Sequence, residues 1–182
     1  EGTKKGNSVE FTYTSPHMEE GYPGELTIVV LYTLTDDNEI IIDYTATTDR
    51  PAHVNLSNHL YVNLLGEAKG DILDHELQIF ADYMTPVDST LIPTGEIAEV
   101  KGTPFDFTKP HKIGERINAE NTQLEYGKGY DHNFVLAMED RDVPRPAVKL
   151  YEPLTGRILE ISTTEPGIQF YSGNFMDGTV EG

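Results

Sequence analysis

The sequence contains no cysteine. Disulfides, thiolate catalysis and cysteine-ligated zinc are therefore excluded, and a chain without thiols suits a reducing, cytoplasmic compartment. It has no apolar run long enough to span a membrane, and its polar start, Glu1-Gly2-Thr3-Lys4-Lys5, carries no signal-peptide pattern. Basic residues are scarce: 13 Lys and Arg against 31 Asp and Glu give a formal net charge of −18. A field of that sign repels phosphate backbones and anionic lipid, which argues against nucleic-acid and membrane partners and weighs against phosphorylated substrates. A neutral small molecule sits comfortably with it. There is no Gly-rich phosphate loop and no G-x-S-x-G nucleophile elbow, so serine-based hydrolysis has no support.

What is present is alternation. Across 25–34, Leu26, Ile28, Val30, Tyr32 and Leu34 share one face; across 39–47, Ile40, Ile42, Tyr44 and Ala46 do the same. Period two in β-branched and aromatic residues is the strand signature. Thr35-Asp36-Asp37-Asn38 between the runs is a turn cluster, so the two predict an antiparallel hairpin. A second hairpin is predicted at 147–152 and 157–163, turning at Pro153-Leu154-Thr155-Gly156. Further strands are expected near 9–14, 52–57, 75–81, 132–136 and 167–172, with one helical turn near 112–117. Residues 82–130 are irregular and rich in Pro, Gly and Asp, as loops that carry function or cover a sheet are. At 182 residues, with no repeat and no linker, the expectation is a single all-β domain built as a large antiparallel β-sandwich.

Three clusters carry possible chemistry. The first is Asn55-Leu56-Ser57-Asn58-His59-Leu60-Tyr61-Val62-Asn63-Leu64, where amides and hydroxyls surround a histidine. An imidazole exchanges protons near neutrality, and two flanking Asn side chains could orient it or bind hydroxyls. Taken alone, the stretch fits a hydrogen-bonded histidine at a strand end better than a catalytic one. The second is Tyr130-Asp131-His132-Asn133-Phe134. The Asp131 carboxylate can accept from two sugar hydroxyls at once; the Asp-His pair also raises a metal, without further ligands at recognisable spacing. The third is the stretch from Thr163 to Phe175, in which Gln169 offers donor and acceptor among Phe170, Tyr171 and Phe175. Polar groups between aromatic faces suit a carbohydrate, though the same rings could simply fill a core. Glu165 precedes Pro166 at a turn and is a weak candidate for a base.

Together these clusters are more specific than any one of them. Residues 55–64 resemble a signature of the aldose 1-epimerases, as do Leu91-Ile92-Pro93-Thr94-Gly95-Glu96, Gly102-Thr103-Pro104-Phe105-Asp106-Phe107, residues 130–134, and 163–178 ending in Asn174-Phe175-Met176-Asp177-Gly178. Glu20-Gly21-Tyr22-Pro23-Gly24 fits as well, so the resemblance covers essentially the whole chain. It implies the family's β-supersandwich and interconversion of the α and β anomers of galactose- and glucose-type aldoses, without metal or organic cofactor. It further implies His59 as the proton donor to the ring oxygen, Tyr61 in the substrate-binding stretch, and Asp131 and Gln169 as binders of sugar hydroxyls. Position 60 is Leu where the family usually has Ser. The family's catalytic glutamate lies downstream of the last signature, and an Arg and a second His come from upstream, so the chain is expected to be a central portion, incomplete at both ends. A further segment or chain would supply the base. Other readings are a sugar-binding module without turnover, a hexose-phosphate epimerase, and a fragment that does not fold alone.

Overall fold

In the computed structural model the chain is described over residues 2–136 and 142–176. Its backbone falls into two compact units, residues 1–60 and 61–182. Strand accounts for most of the regular structure, and every strand pairing is antiparallel among the described residues.

The first unit is a four-stranded meander in sequence order: β1 (Gly2–Lys5), β2 (Ser8–Ser15), β3 (Leu26–Leu34) and β4 (Ile40–Thr48). The predicted hairpin at 25–47 is β3–β4, closed by Asn38 in the left-handed region (φ 62°) and by Thr35 N donating to Glu39 O at 2.9 Å. The pairing aligns Phe11, Val30 and Tyr44 across three strands, and next to them Val9, Tyr32 and Ile42. Directly opposed residues share a face, so one side of this sheet is continuously apolar and aromatic. Yet among the unit's described residues only Gly24 is buried; Phe11 is 49% exposed and Ile40 62%.

The second unit has two four-stranded sheets. One runs β11 (Arg157–Thr163), β10 (Arg145–Glu152), β5 (Glu76–Ile79), β8 (His111–Lys112); the other runs β12 (Gly167–Tyr171), β9 (Asp131–Val135), β6 (Tyr83–Thr85), β7 (Ala98–Glu99). Their facing residues build a single core: Leu77, Ile79, Ala147 and Leu150 from the first sheet, Met84 and Phe134 from the second. Phe105, Phe107 and Tyr130 plug it between strands, and Tyr130 stacks on Phe170 at 5.3 Å. Burial pushes the Tyr130 phenol up to about 12, so it stays protonated and donates to Pro104 O at 3.1 Å. The Gly102–Phe107 signature is thus a core plug.

The second predicted hairpin is β10–β11. Its turn explains a buried acid: the Glu152 carboxylate accepts from Leu154 N (2.9 Å) and Thr155 N (2.6 Å), and these bonds help to hold it ionised despite burial. The helical turn near 112–117 is a 3₁₀ turn at Ile113–Glu115.

Two expectations need correction. No strand forms at 52–57: residues 51–63 have no regular structure. Pro51 cannot donate to a ladder. Beyond it, Leu60 N bonds Asn58 Oδ1 and Ser57 Oγ bonds Asn58 O, local pairings that compete with a sheet. Conversely, a helix α1 (Thr122–Gly127) lies in the region read as irregular. Six residues are too few to show a period, but Asn121 caps it by accepting from Gln123 N at 2.9 Å.

Candidate functional site

The site grows out of the alternation of β9. Its even residues, His132 and Phe134, are fully buried; its odd residues, Asp131, Asn133 and Val135, are partly exposed. Register carries the same division to its neighbours. Tyr171, Gln169 and Gly167 of β12 lie opposite Asp131, Asn133 and Val135, and Thr85 of β6 lies opposite Asn133. One face of this sheet is therefore hydrogen-bonding while the other is core.

On the polar face, Gln169 Nε2 donates to Asp131 Oδ1 at 2.8 Å and Asn133 Nδ2 reaches Thr85 Oγ1 at 3.4 Å. Gly167 makes this possible: a Cβ there would collide with Asn133 Oδ1. Asp131, Asn133, Gln169 and Thr85 form the floor of a cavity of about 150 Å³ whose wall is Val87, Leu91 and Pro93. That is below the ~300–1,000 Å³ of sites that enclose a drug-sized ligand, so it would hold part of a small molecule against one carboxylate, two amides, a hydroxyl and an apolar wall.

Aromatic rings extend the face. Tyr61 meets Tyr171 edge-on at 5.9 Å, and Tyr171 stacks with Phe175 at 6.4 Å while its hydroxyl accepts from Phe175 N at 2.7 Å. The stretch after Tyr61 is tied down through Leu64, whose N–H donates to His75 Nε2 (3.1 Å) and whose carbonyl accepts from Arg157 Nη1 (2.8 Å). Asn174 does not extend the polar face: it donates to Gly127 O and Tyr130 O, 2.8 Å each, knotting the turn before β9.

Of the four residues expected from the sequence, Asp131 and Gln169 are in direct contact and Tyr61 packs on the strand that carries Gln169. His59 belongs to the other unit, on the irregular stretch after β4. Among the amides of its stretch, Asn58 Nδ2 donates to Tyr32 Oη (2.9 Å), and Asn63 bonds Gly70 O and Leu65 N. Glu165 is exposed at the β11–β12 turn and does not line the cavity. Asp177 and Gly178 lie outside the described residues.

The Asp-His pair does not form a chelate, because adjacent strand residues point to opposite faces. His132 lies in the core 4.6 Å from the Phe105 ring, and burial lowers its pKa to about 4. Among the described residues no cluster of three or more His, Asp or Glu could hold a metal ion, and no helix is long and apolar enough to cross a membrane.

Sequence reasoning missed Thr85, Asn133 and the wall. Asn133 was within reach, since it lies two residues from Asp131 in a strand. The wall, partly the Leu91–Glu96 signature, is a loop folded on Asp88, which accepts from Thr90 N at 2.8 Å and Ile92 N at 3.2 Å.

The aldose 1-epimerase family pattern matches residues 1–182. The chain is 47% identical over 176 residues to a galactose mutarotase from Bos taurus, and 43% identical over 171 to an aldose 1-epimerase from Escherichia coli K12. These alignments cover 97% and 94% of this chain but 49% of each relative, so the chain spans about half the length of the curated relatives it matches. The crystal structure of a galactose 1-epimerase from Lactobacillus acidophilus superposes with a TM-score of 0.85 at 31% identity, over 99% of this chain and 52% of that one.

Proposed function

The chain belongs to the aldose 1-epimerase family, and from that premise we propose that it supplies the sugar-binding face and the acid of an isomerase that interconverts the α and β anomers of galactose- and glucose-type aldohexoses. The carrying observation is the Asp131–Gln169 pair, 2.8 Å apart on the floor of a cavity shared with Asn133 and Thr85. A carboxylate whose second oxygen remains able to accept, beside a primary amide, matches vicinal hydroxyls. The Tyr61–Tyr171 rings offer a surface for sugar C–H groups.

In this reading His59 donates a proton to the ring oxygen while a base removes the anomeric hydroxyl proton. The C1–O5 bond breaks to give the open aldehyde, the C1–C2 bond rotates, and closure on the other face returns both protons. Asp131, Gln169 and Tyr61 hold the sugar through this motion. The base is proposed to come from a further segment or chain outside these 182 residues. A cytoplasmic location belongs to the same proposal.

Polarimetry of fresh α-D-galactose and α-D-glucose, corrected for spontaneous mutarotation, tests it. Acceleration by the complete protein should fall about 10²–10⁴-fold in His59→Ala with the fold intact; near-normal turnover in that variant sinks the acid assignment. Asp131→Ala and Gln169→Ala should chiefly raise KM, and unchanged KM in both removes them from the binding role. A second reading, a sugar-binding module without turnover, is favoured by the cavity lining, which among the described residues holds Asp131 and no second carboxylate to act as base. Sugar affinity with no anomeric exchange in the complete protein would select it.

A further inference from the structure

The cavity's floor is part of a sheet, but its wall is a loop, and something must hold that loop at a fixed height. Gln123 of α1 does so from 36 residues away: Val87 N donates to its Oε1 at 2.8 Å, and its Nε2 donates to Val87 O at 2.9 Å. The side-chain amide thus pairs with Val87 as a neighbouring strand would. Val87, 6% exposed, also bridges Pro93 across the loop, so clamping it fixes both sides of the wall.

Gln123 is itself oriented from beneath. Asp131 N donates to His132 Nδ1 at 3.1 Å, which leaves that nitrogen without a proton in the neutral ring. The proton is then on Nε2, 3.2 Å from Gln123 Oε1, and donates to it. The order of bonds admits only one orientation of the amide, because Nε2 of Gln123 turned toward His132 would face another donor. His132 is fully buried, and burial keeps it neutral over the physiological range.

We propose that His132 and Gln123 are positioning residues for the sugar pocket: the neutral Nε2–H ring orients the Gln123 amide, which sets the Val87–Pro93 wall over Asp131, Asn133 and Gln169. This rests on the sugar-binding reading above. It links β9 to both sides of the cavity, since Asp131 is in the floor and its neighbour His132 controls the wall.

The test uses the complete protein and its Gln123→Met variant, which keeps length and loses the side-chain bonds to Val87 and His132. Amide exchange at Val87 and Leu91, galactose affinity by NMR titration, and the ring-nitrogen shifts of His132 are read together. With near-ultraviolet dichroism showing a native fold, Val87 should exchange about tenfold faster and galactose should bind about tenfold more weakly, the effect of losing hydrogen bonds of ordinary strength. Phe134 and Val135 should keep their protection. His132 should show the Nε2–H tautomer in the unsubstituted chain. Unchanged Val87 exchange, the opposite tautomer, or faster exchange with unchanged affinity each overturns the proposal. If Gln123→Met does not fold, Gln123→Glu, which retains the acceptor for Val87 N and His132, is measured in its place; it should show intermediate exchange and affinity, and wild-type values for both overturn the proposal. Absence of galactose binding by the unsubstituted complete protein overturns the sugar-binding reading and this proposal together. Binding that is indifferent to Gln123 overturns this one alone.

Discussion

Strands β3 and β9 obey the same alternation and meet different fates. In β3, Val30 and Tyr32 point to the apolar side of a single layer and are only partly buried. In β9, His132 and Phe134 point inward and are fully buried: a second sheet brings Ile79, Ala147 and Leu150 into one core with Phe134, and Phe105 packs on His132. Alternation thus specifies a strand and its register, while burial depends on a second layer, which no strand encodes by itself. The contrast extends to concavities. A concavity on the first unit, about 410 Å³, is lined by Phe11, Val30, Tyr32, Tyr44 and Ser57, without carboxylate or amide. The smaller one on the second unit holds both.

The most drastic way to test this contrast is to separate the units. Residues 61–182 expressed alone should melt cooperatively, whereas 1–60 alone should show neither a cooperative transition nor dispersed amide resonances. A sharp melt of 1–60 would mean that one layer suffices. Next in size, Phe134→Ala should cost about 3–5 kcal/mol as a large-to-small core change. Phe11→Ala, at a half-exposed ring edge-on to Tyr32, should cost under ~1 kcal/mol. Urea unfolding of both variants checks the ratio, and equal costs would erase the distinction.

Acid should separate the units as well. His132 has its pKa lowered to about 4 in the fold, and burial also lowers that of His75. Between the ordinary histidine value and the folded one, the unfolded chain binds more protons. Stability of 61–182 should therefore fall as pH drops from about 6.5 toward 4, by up to ~3 kcal/mol from His132 alone. The first unit's strongest shift is Asp49, held at about 2 by Arg50 and Glu25 N. That contribution is present above the ordinary aspartate value and is lost only as pH falls below it toward 2. Urea midpoints across this range decide, and a flat profile for 61–182 would remove the histidine contribution. The smallest expected effect is Gly167→Ala. Displacing Asn133 should weaken galactose binding a few-fold, an ordinary hydrogen bond's worth, with little change in melting; unchanged affinity would place Asn133 outside the binding set.

Much of this could be read in the residues. Strand β3, the turn at Asn38 and the hairpin across Gly156 follow from period and turn chemistry, and Asp131 and Gln169, singled out beside aromatic rings, do meet on the cavity floor. The over-read strand at 52–57 shows the limit of alternation where Pro51 and Asn58 offer the backbone other options. Gln123 could not be read at all: its chemistry depends on a loop 36 residues away. Thr85 sits on a three-residue strand, too short to show a period, and only its register with Asn133 reveals it.

Strand β9 has a consequence for how such a chain can change over time. Because Asp131 and Asn133 line the cavity while His132 and Phe134 face the core, the two sets can be exchanged almost independently. New ligand preferences can arise at odd positions without disturbing packing at even ones. Loss or gain of a single residue would do the opposite, turning a carboxylate inward and a phenyl ring outward in one step. This stretch should accordingly diversify by substitution and keep its length.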